Sequence, residues 1–296
     1  DRVGESLPDL TASVEIDPTN PLFNTYYAEL QLRRNKFALA LNHLEIAGTV
    51  DPNLVLVHLI RSKIFMTLGL RELAKEALDS SAGSKLPTPQ DYSDRGRIHS
   101  IFGETNLAFL DLDEAIRINP NRARSYADRG KAYASSRDFE SAMADFNLAI
   151  QIDPTDSISF LNRGVLYGIL EEYDLAIADL DEAIILDPRE AKSSHARAKA
   201  HTGIGDFESA LVDFTRAVAI EPTNGLYYLE RGVLLGILGD DYRSSRDIET
   251  ANAIGVVTAP QAESFFSAYT DNSNTEEDAR QLLELEAERK ALRNPR

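Results

Sequence analysis

The chain contains no cysteine and no tryptophan, and only two methionines in 296 residues. Without cysteine there is no disulfide framework, no thiol nucleophile and no thiolate-ligated zinc. Long apolar runs are missing too: the longest, such as GVLLGILG at 232–239, fall far short of the roughly 20 residues a membrane helix needs. There is no N-x-[ST] sequon, which argues against a glycosylated ectodomain. Basic residues are the scarcer charge, 31 against 48 acids, for a net −17. Such a surface is a poor partner for nucleic acid, which needs a basic footprint; its acidity reads first as solubility. No signal-peptide pattern opens the chain. It starts at Asp1 without a methionine, the expectation for a trimmed product whose targeting segment is gone. Both a cytoplasmic and a cell-envelope or periplasmic location, in a bacterium, suit a soluble chain of this kind.

What is present repeats. DLDEAIRINP (111–120), DFNLAIQIDP (145–154), DLDEAIILDP (179–188) and DFTRAVAIEP (213–222) follow one another at 34 residues, a period that belongs to stacked supersecondary units. Pro18 and Pro52 extend the series upstream; at the one missing marker stands Leu86, beside Pro87. Seven windows result, starting at 21, 55, 89, 123, 157, 191 and 225. Their eighth residue is small (Ala28, Ser62, Gly96, Gly130, Gly164, Ala198, Gly232) and their twenty-fourth apolar (Leu44, Leu78, Leu112, Phe146, Leu180, Phe214, Ile248). Alanine recurs at the twentieth position (Ala40, Ala74, Ala108, Ala142, Ala176, Ala210). Spacings of three and four within each half-window predict two helices, held close by the small residues, with the proline closing the unit.

This pattern resembles the tetratricopeptide repeat, a 34-residue helix–turn–helix unit, over roughly residues 21–258. The resemblance implies an all-α fold, a right-handed α-α superhelix (solenoid) whose first helices line a concave groove and whose second helices face outward. The expected organisation is a remnant of a degenerate repeat at 1–20, seven tandem units over 21–258, and a C-terminal segment at 259–296. In that segment, 276–293 reads as an amphipathic helix capped by Thr275 and follows a polar hinge at 271–275. It is expected to cap the final repeat; the alternative is an acidic helix folding into the groove as a competitor.

No arrangement of residues speaks for catalysis, a metal or a cofactor. The five histidines, His43, His58, His99, His195 and His201, share no ligand spacing; His99 and His201 fall on an aromatic packing position. The expectation is a non-enzyme. Two sets of charged residues do recur. Arginine holds the seventh position (Arg61, Arg95, Arg129, Arg163, Arg197, Arg231) and aspartate the twenty-third (Asp111, Asp145, Asp179, Asp213, Asp247). The seventh position faces the interior of a helix pair, where an unpaired guanidinium is costly, so a structural ladder is expected: Arg95–Asp111, Arg129–Asp145, Arg163–Asp179, Arg197–Asp213 and Arg231–Asp247. Arg61 lacks its aspartate and must find another partner.

The second, fifth, sixth and ninth positions form the opposite stripe of the first helices. Between 89 and 224 it carries Arg97, Arg124, Lys131, Asn162, Lys192, His195 and Lys199, with Asp94 and Asp128 as its acids. This is partly similar to the carboxylate clamp by which some repeats of the family hold a chaperone's acidic C-terminus: Asn162 and Lys192 fall on clamp positions, and Ala127, Lys131 and Ala196 depart from it. The expected function is a scaffold whose groove binds an extended or helical acidic segment of another protein. The alternative is an assembly component that homo-oligomerises through its terminal helices or convex face.

Overall fold

The computed structural model describes residues 7–254, and these are helical, with no strand among them. Helix α1 (Leu7–Ile16) is followed by seven helix pairs. The first helices are α2 (Pro21–Arg33), α4 (Val55–Thr67), α6 (Pro89–Ile101), α8 (Ala123–Ser135), α10 (Ser157–Ile169), α12 (Ala191–Gly203) and α14 (Gly225–Ile237). The second helices are α3 (Phe37–Val50), α5 (Arg71–Ser81), α7 (Thr105–Ile118), α9 (Phe139–Ile152), α11 (Tyr173–Leu186), α13 (Phe207–Ile220) and α15 (Asp241–Ile254). The first helices begin at the seven positions where the 34-residue windows begin. The end of the last window and the C-terminal segment, with its expected hinge and capping helix, lie outside the described residues.

Local chemistry sets these starts and stops. Asp138, Asp156 and Asp206 accept hydrogen bonds from the backbone N–H groups of Ser141, Ser159 and Ser209, satisfying donors that a helix start leaves open. Thr88 and Asp91 form a reciprocal capping box, with Pro89 at the first turn. Every first helix ends at a left-handed residue in the fifteenth position. Glycine fills it at Gly69, Gly103, Gly205 and Gly239, whereas Asn35, Arg137 and Glu171 hold positive φ there with side chains present.

The described residues divide into two compact units, 7–87 and 88–254. In the first, α1 packs on α2, and α2–α3 and α4–α5 form the pairs. In the second, five pairs stack so that each second helix also meets the next first helix, while α6, α8, α10 and α12 lie side by side. The first helices therefore form one layer and the second helices another. The core runs between them: Ala108, Ala142, Ala176 and Ala210 are fully buried, with Leu112, Phe146, Leu180 and Phe214 beside them. The small eighth residue is a steric requirement. A Cβ on Gly164 would lie 2.8 Å from Leu180 Cγ and 3.2 Å from the Ala176 carbonyl oxygen. In the first unit Ser62 takes this position, and its hydroxyl donates to the Ala74 carbonyl at 2.8 Å.

Candidate functional site

The seventh-position arginines point toward the second helices. Arg95, Arg129, Arg163, Arg197 and Arg231 each grip the aspartate sixteen residues later with two parallel bonds from Nε and Nη2, at 2.6–2.8 Å. The fork geometry matches a carboxylate. Aromatic rings flank the guanidinium groups: Tyr126 and Tyr133 about Arg129, Phe160 and Tyr167 about Arg163. Only Arg95 is fully buried; the other four are half-buried. Three of the half-buried arginines also extend a third arm. Nη1 of Arg129 donates to Asp113 and Nη1 of Arg163 to Asn147, both at 2.8 Å, and Nη1 of Arg197 to Asp181 at 2.5 Å. These acceptors sit sixteen residues before the arginine, on the preceding second helix, so each of these three guanidinium groups ties two successive repeats. Hydrogen bonding to both neighbours raises the pKa of Arg129 and Arg197, the bond to Asp145 or Asp213 most. Arg61, without an aspartate, reaches the Leu44 carbonyl at 3.5 Å.

The opposite stripe of residues 88–254 is less uniformly basic than its sequence suggests. Arg97 lies 3.4 Å from Asp94, and Arg124 lies 3.3 Å from Asp128. Both aspartates are buried. Burial pushes the Asp128 carboxyl up; Asp94 reinforces this, while Arg124, Arg97 and Arg122 oppose it. His195 is not an open donor: its Nε2 meets Glu230 of the next repeat at 2.5 Å, and its ring packs against Tyr227 and Phe214. Lys199 also approaches Glu230, at 4.0 Å, and Lys192 approaches Glu190 at the same distance. Asn162 is half-buried on α10. Lys131 makes no ion pair among the described residues. Its side chain is exposed, yet its ammonium is held below the usual lysine range, first by loss of water around it and next by the charges of Lys192 and Arg97. Lys131 on α8 therefore lies within electrostatic reach of Lys192 on α12 and Arg97 on α6.

Three features of the two faces were not anticipated. Glu230 falls just past the stretch considered. Arg122, at the cap of α8, donates to Ser93 and Ser125 at 3.2 and 3.0 Å and to Gln90; burial lowers its pKa. The third arginine arm was detectable, since Asp113, Asn147 and Asp181 recur at the twenty-fifth position. Among the described residues no group of three or more His, Asp or Glu could hold a metal ion, and no helix is long and apolar enough to cross a membrane.

Stacked helix pairs with a small residue at each crossing define a helical-repeat protein. The tetratricopeptide-repeat family model matches residues 123–156 and 159–190, the units of α8–α11; these are tetratricopeptide repeats, and the same pair recurs on either side. Among solved structures, the Cut9–Hcn1 hetero-tetramer of the APC/C is similar at a TM-score of 0.61 and 19% identity over 82% of this chain, which spans 44% of that one. TTC0263, a thermophilic TPR protein of Thermus thermophilus, is similar at 0.55 and 20% identity, over 60% of this chain and 97% of that one. YrrB, described as a TPR protein with an unusual peptide-binding site, reaches 0.47 at 20% identity, over 65% and 99%. The first two likenesses show a shared fold. No curated protein sequence matches the chain.

Proposed function

We propose that this chain is a non-enzymatic interaction scaffold and that the first-helix face of residues 88–254 binds an acidic segment of another protein. The observation that carries this reading is a set of cations on the same stripe of three first helices, Arg97, Lys131 and Lys192, with Lys131 exposed and without an ion pair among the described residues, in a chain of net charge −17. A ligand carboxylate there relieves mutual repulsion and makes charge-assisted hydrogen bonds, about 1.5–3 kcal/mol each where sheltered. Ordering a flexible ligand offsets part of this, so affinity is expected near micromolar, about 8 kcal/mol, and to weaken with salt.

The test is a binding titration of a fluorescent Glu-rich peptide against the intact chain, Lys131→Glu/Lys192→Glu and Arg129→Glu. The double substitution abolishes binding and leaves the helical circular dichroism unchanged. Arg129→Glu breaks the grip on Asp145 and Asp113 and unfolds its repeats. Undiminished binding by the folded double variant refutes the site. A second reading, homo-oligomerisation through the outer helices, is favoured by exposed Leu110, Leu175, Ile185 and Val212 on α7, α11 and α13. Sedimentation mass tests it: a monomer at micromolar concentration removes it.

A further inference from the structure

The basic residues do not line the first-helix face evenly. At the second position of four successive units stand Arg124, Ile158, Lys192 and Leu226; at the ninth, Lys131, Val165, Lys199 and Val233; at the thirteenth, Ser135, Ile169, Gly203 and Ile237. Helices α8 and α12 present cations, and α10 and α14 present aliphatic side chains. The ninth and thirteenth positions are one helical turn apart on the same side. Val165 with Ile169, and Val233 with Ile237, therefore make two apolar strips. They are open to solvent: Val165 is 40% exposed, Ile169 56%, Val233 52% and Ile237 61%. The packing of α10 and α14 uses other residues, Leu161, Leu166, Leu234 and Leu235, which are buried. The acids of this face, Asp94, Asp128 and Glu230, are all at the sixth position, and each is paired with a basic neighbour.

We infer that this face is a banded receptor, and that its ligand is an extended acidic segment carrying apolar residues about three positions from its acids. The inference rests on the groove reading above and specifies its ligand. Neighbouring packed helices have axes about 8–10 Å apart, and an extended chain advances about 3.3 Å per residue. One band is therefore crossed in about three residues, and the acid-to-acid repeat is about six. Charge complementarity brings the segment to α8 and α12. The aliphatic strips set its register, because a carboxylate laid on Val165 and Ile169 loses water and gains no partner. An apolar side chain laid on Lys131 or on Lys192 desolvates a cation and gains no apolar contact. Wrong registers and uniformly acidic segments are both disfavoured, the second half of any specific interface.

The experiment uses the intact chain and two fluorescein-labelled peptides, each about twelve residues long and identical in composition. One alternates Glu and Leu pairs at three-residue intervals; the other places all Glu in one half and all Leu in the other. By fluorescence anisotropy the banded peptide binds roughly tenfold more tightly, the gain expected from seating aliphatic groups on the strips. Val165→Ser/Ile169→Ser, both exposed and so harmless to folding, removes most of that preference, whereas Lys131→Glu weakens both peptides. Equal affinity for the two peptides, with both still dependent on Lys131 and salt, overturns the banding and leaves the acidic groove standing. Binding of neither peptide by a folded monomer overturns both readings. Binding of neither by a chain that sediments as a dimer, with Val165→Ser/Ile169→Ser restoring the monomer, assigns the strips to a second copy and overturns the ligand named here.

Discussion

Substituting Arg163 by alanine tests the energetic account of the repeat. Its Nε and Nη2 each lie 2.7 Å from an oxygen of Asp179, its Nη1 lies 2.8 Å from Asn147 Oδ1, and the Phe160 and Tyr167 rings flank it at 5.8 and 6.0 Å. The Arg163 side chain is 20% exposed and that of Asp179 10%. Removing one member of a fully buried pair costs about 3–5 kcal/mol, chiefly because the remaining charge stays desolvated. Here water reaches about a fifth of the arginine, so a loss of about 2–4 kcal/mol is expected. Asp179→Ala should cost a similar amount, and the double substitution should cost less than the sum by about 1.5–3 kcal/mol, since each single change strands the other's partner. Arg163→Lys keeps the charge without the fork and should fall between. Urea unfolding followed by circular dichroism measures the totals. Native-state hydrogen exchange on α10 and α11 locates the loss, because a repeat array need not unfold in one step. Costs that add to within about 0.5 kcal/mol would show the pair to be no stronger than a surface ion pair and would refute this reasoning.

Lys131→Met should raise Tm at pH 7 while weakening the binding of an acidic peptide. The folded-state pKa of Lys131 is depressed, so its charge opposes folding below that value, and the gain should vanish as pH rises past about 10.4, the unfolded value. Asp128→Asn should also stabilise at pH 7. That carboxyl is raised, so its ionisation opposes folding above its folded pKa, and the advantage over the parent should close as pH falls toward about 3.9; thermal melts at pH 4 and 7 compare the two. Glu171→Gly relieves a side chain held at φ 63° and should stabilise by about 0.5–1 kcal/mol in urea unfolding, whereas the same change at an exposed mid-helix site should destabilise.

The helix pairs were legible because independent signals coincide in most windows: the closing proline, the small residue at the crossing and the alanine opposite it. The Arg-to-Asp contact was legible because both residues recur sixteen apart. The arm reaching back sixteen residues carried the same signal in Asp113, Asn147 and Asp181, but it joins different windows and is missed when each is read alone. The state of the stripe residues was less legible. That Asp94 and Asp128 are buried beside Arg97 and Arg124, or that His195 is taken by Glu230, depends on how closely neighbouring helices approach. The electrostatic influence of Lys192 on Lys131 depends on the placing of two helices with a third between them, a property of the stack that no single repeat encodes.

The backward arm also decides where the array yields. Asp113, Asn147 and Asp181 receive it from Arg129, Arg163 and Arg197, but Thr215 stands at that position before Arg231, and among the described residues Arg231 bonds Asp247 alone. The struts therefore join α7 through α13 and stop short of α14–α15. Within residues 88–254, partial opening is expected to begin at α14–α15, the pair without a strut, and native-state hydrogen exchange would show it. His195–Glu230, which spans α12 and α14, is then a latch rather than part of the frame.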